Sequence, residues 1–228
     1  TDDQWKIADG WLSGARQVPS PNCNSRPSGA VPELIVVHGI SLPPGQYGGS
    51  EIEALFTNTL DPNAHPYFAE IAGLEVSAHF LISRTGEILQ FVSTEARAWH
   101  AGVSRWEGRE QCNDFSIGIE LEGCDDEAYT DLQYDALNQL VLCVRNQYPG
   151  IEHDAIVGHI NISANGNNDL GPAFELEELE RARAALVHVA ERARKINEPV
   201  TALRVAQAQR LQLAPRHSPA QRSQVTLQ

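Results

Sequence analysis

Five short runs of apolar residues read as strands, and three stretches repeat their apolar residues at helical spacing. Glu33–His38 follows Pro32 and is rich in β-branched residues, as a buried strand is. Val76–Ser83 and Glu87–Val92 flank Thr85-Gly86 and predict a hairpin. Phe115–Leu121 and Ala155–His159 are two more short apolar runs. Ser50-x-x-Glu53 predicts a capping box that opens a helix ending before Asp61-Pro62. Thr130-x-x-Gln133 predicts a second, whose helix carries Leu137, Leu140, Val141 and Val144 on one face and stops at Pro149-Gly150. Over Glu175–Ile196, Leu176, Leu179, Leu186, Val189 and Ile196 share a third amphipathic face. The loops between include Ser41–Gly49, rich in Gly and Pro, a long aperiodic stretch Ala98–Asp114, and the polar Ile160–Gly171.

Strands that alternate with helices, together with a hairpin, predict an α/β (α+β) fold: a central mixed β-sheet flanked by helices. The 228 residues suffice for one core, placed at 1–197. Residues 199–228, with three Pro, six Gln, four Arg and no acidic residue, predict a disordered tail, so the second segment is 198–228. No apolar run approaches the roughly 20 residues of a membrane span.

Charge narrows the partners. Residues 1–174 hold 24 Asp and Glu against eight Lys and Arg, a net of −16. Such a body repels phosphate backbones, which speaks against nucleic acid. The four cysteines, at 23, 112, 124 and 143, lack metal-ligand spacing and read as free thiols in a reducing compartment. Only two lysines exist, Lys6 and Lys195.

Four segments carry candidate chemistry. His38 and His159 each end an apolar strand and enter a loop, where an imidazole can either serve a site or satisfy a core. Asp169 lies ten residues after His159 in an Asn- and Gly-rich loop. Glu120 and Glu122 alternate with Ile119 and Leu121, so both leave one strand face, which is either a site wall or solvated. Two imidazoles and a carboxylate form a three-ligand zinc set that leaves a position open for water, and a further carboxylate could manage its protons. His79 is a rival ligand, though a hydrogen-bonded inner histidine is the stronger reading; His65, His153, His188 and His217 read as surface. Trp99, His100 and Trp106 either stack on a substrate or anchor their loop. Nothing local proves that residues 121 positions apart meet.

Seven stretches resemble one known family. They are Arg16-Gln17-Val18-Pro19-Ser20-Pro21, Val36-Val37-His38-Gly39-Ile40-Ser41-Leu42-Pro43-Pro44-Gly45, Leu60-Asp61-Pro62, Val76-Ser77-Ala78-His79, Arg97-Ala98-Trp99-His100-Ala101-Gly102, Cys112–Gly123 and Gly171-Pro172-Ala173-Phe174. In order and spacing, from about residue 11 to 176, they are similar to the AmpD-type 1,6-anhydro-N-acetylmuramyl-L-alanine amidases, relatives of the peptidoglycan-recognition proteins. The resemblance implies that family's mixed sheet with zinc at one edge, and a cytoplasmic enzyme that cleaves the lactyl amide of a muropeptide in cell-wall recycling; a monomer is expected. It further implies Zn2+ ligands His38, His159 and Asp169, and Glu120 as the acid that activates water. Asn167 stands at the oxyanion-stabilising position, while Trp99 and His100 are candidates for substrate contact.

The chain departs from that family near its site. Asn167 stands where the family has Lys, Gly39 where it has Asn, and Leu170 where it has Pro. Glu75 and Gln111 stand where two arginines are associated with the peptide's carboxylates. Two functions therefore remain open: a zinc amidase, and a muropeptide-binding module that keeps the fold without cutting.

Overall fold

The computed structural model describes residues 5–124, 126–164, Gly166 and Asp169. Its main sheet has six strands. In chain order they are β1 (Arg16–Gln17), β2 (Leu34–Ile40), β3 (Phe80–Ile82), β4 (Ile88–Gln90), β5 (Ser116–Glu122) and β6 (Ile156–Gly158). Their spatial order is β6-β2-β5-β3-β4-β1. The pairs β6–β2, β2–β5 and β5–β3 are parallel, and β3–β4 is the antiparallel hairpin expected around Thr85-Gly86. This is the mixed sheet that the alternation of elements implies.

Helices cover the sheet. In α3 (Asp131–Gln147) the side chains of Leu137, Leu140, Val141 and Val144 are buried, in one cluster with Leu34, Val36, Ile117 and Ile119 of the central strands. A second cluster joins Ile52, Leu55 and Phe56 of α1 (Glu51–Phe56) and Phe68 of α2 (Pro66–Glu70) to Leu81 and Leu89 of the hairpin. A sheet covered in this way has central strands that are apolar throughout rather than alternating. Strand β2 reads Leu-Ile-Val-Val for that reason, and those four side chains are fully buried.

The two predicted capping boxes part company. Thr130 and Gln133 form theirs: Thr130 Oγ1 accepts from the Gln133 N–H at 3.2 Å, and Gln133 Oε1 accepts from the Thr130 N–H at 3.1 Å. Ser50 caps α1 without a side-chain hydrogen bond. The Glu53 carboxylate is instead held by the Arg16 guanidinium at 2.5 and 3.1 Å, and a two-pronged ion pair outcompetes a neutral cap.

Two other expectations are corrected. The strand at Val76–Ser83 shrinks to Phe80–Ile82, because the Ser77 N–H bonds the Trp99 carbonyl in the following loop. The stretch Ala98–Asp114 is not an unstructured loop. It contains a small hairpin, Arg105–Trp106 paired with Arg109–Glu110, and a 3-10 turn at Cys112–Asp114. The expected helix at 175–196, the tail and the boundary near 197 lie outside the described residues. Among the described residues no helix is long and apolar enough to cross a membrane. All four cysteines are free thiols.

Candidate active site

Three adjacent parallel strands deliver the candidate residues to one place. Glu120 of β5 is the register partner of His38 of β2, so the two side chains leave the sheet on the same face. Gly158 of β6 pairs with Val37, and His159 follows one residue later, beside His38. All three lie toward the carboxyl ends of their strands, where α/β sheets commonly present their sites. Asp169 returns from the loop that follows β6 and completes the cluster.

The candidate ligands lie close together. His38 Nδ1 lies 3.0 Å from Asp169 Oδ2, and His159 Nδ1 lies 2.6 Å from the same oxygen. The two imidazole rings are 4.6 Å apart, centroid to centroid. One donor atom from each of His38, His159 and Asp169 falls within 4.8 Å of the others. Asp169 Oδ1 and Glu120 Oε2 are buried with no hydrogen-bond partner among the described residues. Native structures rarely bury a carboxylate oxygen unpaired. Two nitrogens and an oxygen, with an unsatisfied carboxylate oxygen beside them, fit a zinc ion.

Electrostatics run the same way. His38 is 1% exposed, and burial lowers its pKa against the opposing pull of Asp169. It is therefore a neutral imidazole, the form that binds metal. Burial would raise Asp169, but the His159 and His38 imidazoles packed against it outweigh this and hold it ionised. Burial and the Asp169 charge push Glu120 well above the usual carboxylate range. A raised pKa suits a group that must take up and release a proton near neutral pH. The solvated reading of the Glu120 and Glu122 face is wrong, since every residue of β5 is buried. Glu122 is structural: its two oxygens accept from the Gly48 N–H at 2.6 Å and the Arg84 N–H at 3.0 Å.

The other candidates sort by their contacts. His79 is an inner structural histidine. Its Nδ1 accepts from the Gly118 N–H at 3.0 Å, and its Nε2 lies 3.1 Å from the Ala96 carbonyl. His65 caps α2 through Nδ1, and His153 is exposed. Trp99 is half-buried and donates from Nε1 to Asn24 at 3.2 Å, while Trp106 packs against the main core. His100 spends both ring nitrogens inside the protein. Nδ1 lies 2.9 Å from His38 Nε2, and Nε2 lies 3.1 Å from Ser116 Oγ. No ring nitrogen is left for a substrate. Glu75 and Gln111 are exposed. Asn167, Leu170, His188 and His217 lie outside the described residues.

Sequence reasoning marked Gly39 as a departure from the family but passed over Tyr129 and Gly123, which explain it. A Cβ on Gly39 would stand 2.4 Å from both the Asp169 carbonyl oxygen and the Tyr129 hydroxyl, and a Cβ on Gly123 would stand 2.3 Å from the Tyr129 ring. Glycine at 39 and 123 lets Tyr129 and the Asp169 backbone lie against the strands. Beside Asp169 an open groove runs between Ser41, Pro44, Tyr67 and Cys124.

Known proteins bear on this arrangement. Residues 28–172 match the family model described as N-acetylmuramoyl-L-alanine amidase. The 1,6-anhydro-N-acetylmuramyl-L-alanine amidase AmpD of Citrobacter freundii is 58% identical over 169 residues, 74% of this chain and 90% of that one. The enzyme of the same name from Haemophilus influenzae is 49% identical over 171 residues, 75% of this chain and 93% of that one. A crystal structure of a Se-Met AmpD derivative superposes with a TM-score of 0.75 at 55% identity, covering 77% of this chain and 98% of the other. The chain belongs to the N-acetylmuramoyl-L-alanine amidase family.

Proposed function

We propose that this chain is a zinc-dependent amidase that hydrolyses the amide between 1,6-anhydro-N-acetylmuramic acid and the L-alanine of a stem peptide, in the cytoplasm, during cell-wall recycling. The observation that carries the reading is the convergence of His159, His38 and Glu120 from three neighbouring parallel strands onto Asp169. The names of relatives that match along nine-tenths of their length support the substrate.

His38, His159 and Asp169 would hold the ion. When bound, zinc would supply Lewis acidity to the amide carbonyl and make a water nucleophilic near neutral pH. Glu120, buried against this site, accepts the proton that the attacking water loses. It returns that proton to the α-amino nitrogen of alanine as the C–N bond breaks. The products are the lactyl carboxylate on the sugar and the free peptide amine. Asn167, two residues before Asp169, donates a neutral hydrogen bond to the carbonyl oxygen as negative charge develops there. The groove beside Asp169 gives the substrate its approach, and Trp99 lines the sugar or peptide.

Mass spectrometry of zinc-loaded protein incubated with anhydromuramyl-tripeptide tests the reading. Release of free tripeptide is expected. Bound but uncut muropeptide would replace it with the binding-module reading, which Asn167, Gly39, Glu75 and Gln111 favour.

A further inference from the structure

Behind His38 lies a chain of hydrogen bonds whose direction is set at its far end. Ser116 Oγ stands 2.6 Å from the Cys112 carbonyl oxygen, which can only accept, so the hydroxyl proton is committed there. The same Oγ stands 3.1 Å from His100 Nε2 and has only a lone pair left to offer. His100 therefore carries its proton on Nε2. Among the described residues no carboxylate touches the His100 ring, so nothing holds a second proton on it. Its Nδ1 is a bare lone pair, 2.9 Å from His38 Nε2. His38 must then donate from Nε2, and its own lone pair is left on Nδ1. That is the nitrogen that faces Asp169.

Two further features hold the chain in place. The backbone N–H groups of His100 and Ala101 both donate to Asn113 Oδ1, at 3.1 and 2.9 Å. Position 118 is glycine, and a Cβ there would stand 2.5 Å from the His100 ring. The ring occupies the space that a side chain on β5 would fill, between Ser116 and His38.

We infer that Ser116 and His100 form a positioning relay that selects the His38 tautomer with its proton on Nε2 and its lone pair on Nδ1, ready for a metal. Neither residue touches substrate. The pattern is that of the zinc-loaded site, where the ion would take the Nδ1 lone pair that otherwise faces Asp169 Oδ2 at 3.0 Å, so the inference rests on the zinc reading above.

Nitrogen-15 NMR of histidine-labelled protein reads the pattern directly. His100 is expected protonated on Nε2 and bare on Nδ1, with scalar coupling across the hydrogen bond from His38 Nε2–H to His100 Nδ1. Protonation of His100 on Nδ1 in the zinc-loaded protein would overturn the relay. Zinc affinity, measured against a competing chelator, supplies the second arm. His100→Phe and Ser116→Ala are expected to weaken zinc binding roughly ten- to a hundredfold, as loss of a ligand's outer hydrogen bond does. His100→Asn, which returns an acceptor oxygen near the Nδ1 position, is expected to recover most of the loss. Wild-type affinity in a folded His100→Phe would overturn the proposal. A wild-type protein that binds no zinc would overturn the zinc reading and the relay with it, whereas zinc binding with the wrong His100 tautomer would overturn the relay alone.

Discussion

Gly39 and Tyr129 share one space. The tyrosine hydroxyl lies 2.4 Å from where a Cβ on residue 39 would be, and the Asp169 carbonyl lies as close. Any side chain at 39 must push the tyrosine or the ligand-bearing loop away. Gly39→Ala is expected to weaken zinc binding by roughly ten- to a hundredfold while the fold survives. Asn, which the family resemblance would place here, meets the same obstruction. Isothermal titration with zinc and a circular dichroism melt check this. Unchanged affinity in Gly39→Ala would mean that the loop has room the geometry denies it.

The proposed function makes Glu120 the proton carrier rather than a ligand. Glu120→Gln keeps the size and the buried position but cannot accept a proton. Zinc content should stay at the wild-type level, and turnover should fall by about 10²–10⁴. An active Glu120→Gln enzyme would remove Glu120 from its assigned role.

In the proposed mechanism Asn167 is the weak point. A neutral amide at an oxyanion position gives up charge stabilisation that a lysine supplies. Losing one such donor typically costs about 10²–10³ in rate. Asn167→Lys is expected to raise kcat at least about tenfold, with little change in KM. Steady-state kinetics on anhydromuramyl-tripeptide measures it, and a rate that stays flat or falls would place the limit elsewhere.

His79 gives the fold a pH dependence. Burial, and then the neighbouring Arg26 charge, lower its pKa to about 3 from the ordinary 6.5. Below pH 6.5 the unfolded chain takes up a proton that the folded chain refuses until about pH 3. Stability is therefore full above 6.5 and declines toward 3, by at most about 1.4 kcal/mol per pH unit for this one group. Melting curves of metal-free protein between pH 7 and 4 should fall more steeply for wild type than for His79→Gln. Parallel curves would show that His79 does not carry the effect.

Much of this arrangement is visible in the chain. His38 ends an apolar, β-branched run, and Glu120 alternates with Ile119 and Leu121, so strand, face and polarity all follow from local chemistry. That β2, β5 and β6 lie side by side is a tertiary fact, since long-range strand order leaves no mark on spacing. The burial of Glu120 was equally hidden: alternation tells which face a side chain takes, not what covers it. The hint was that Ser116, Gly118, Glu120 and Glu122 alternate on β5 with no large apolar residue among them, so something polar had to pack there. The hairpin at Arg105–Glu110 escaped for a different reason. Its turn, Glu107-Gly108, has φ of 45° and 81°, a left-handed pair usually announced by Asn or Asp in the first place. Glu at 107 conceals it.

The most direct test of the central claim is bound zinc per chain and tripeptide release, measured on the same samples. Wild type, His38→Ala, His159→Ala and Asp169→Ala would be compared. The account predicts about one zinc and free tripeptide for wild type, and neither for the three variants. Tripeptide release by metal-free wild type, or by His38→Ala, would contradict it.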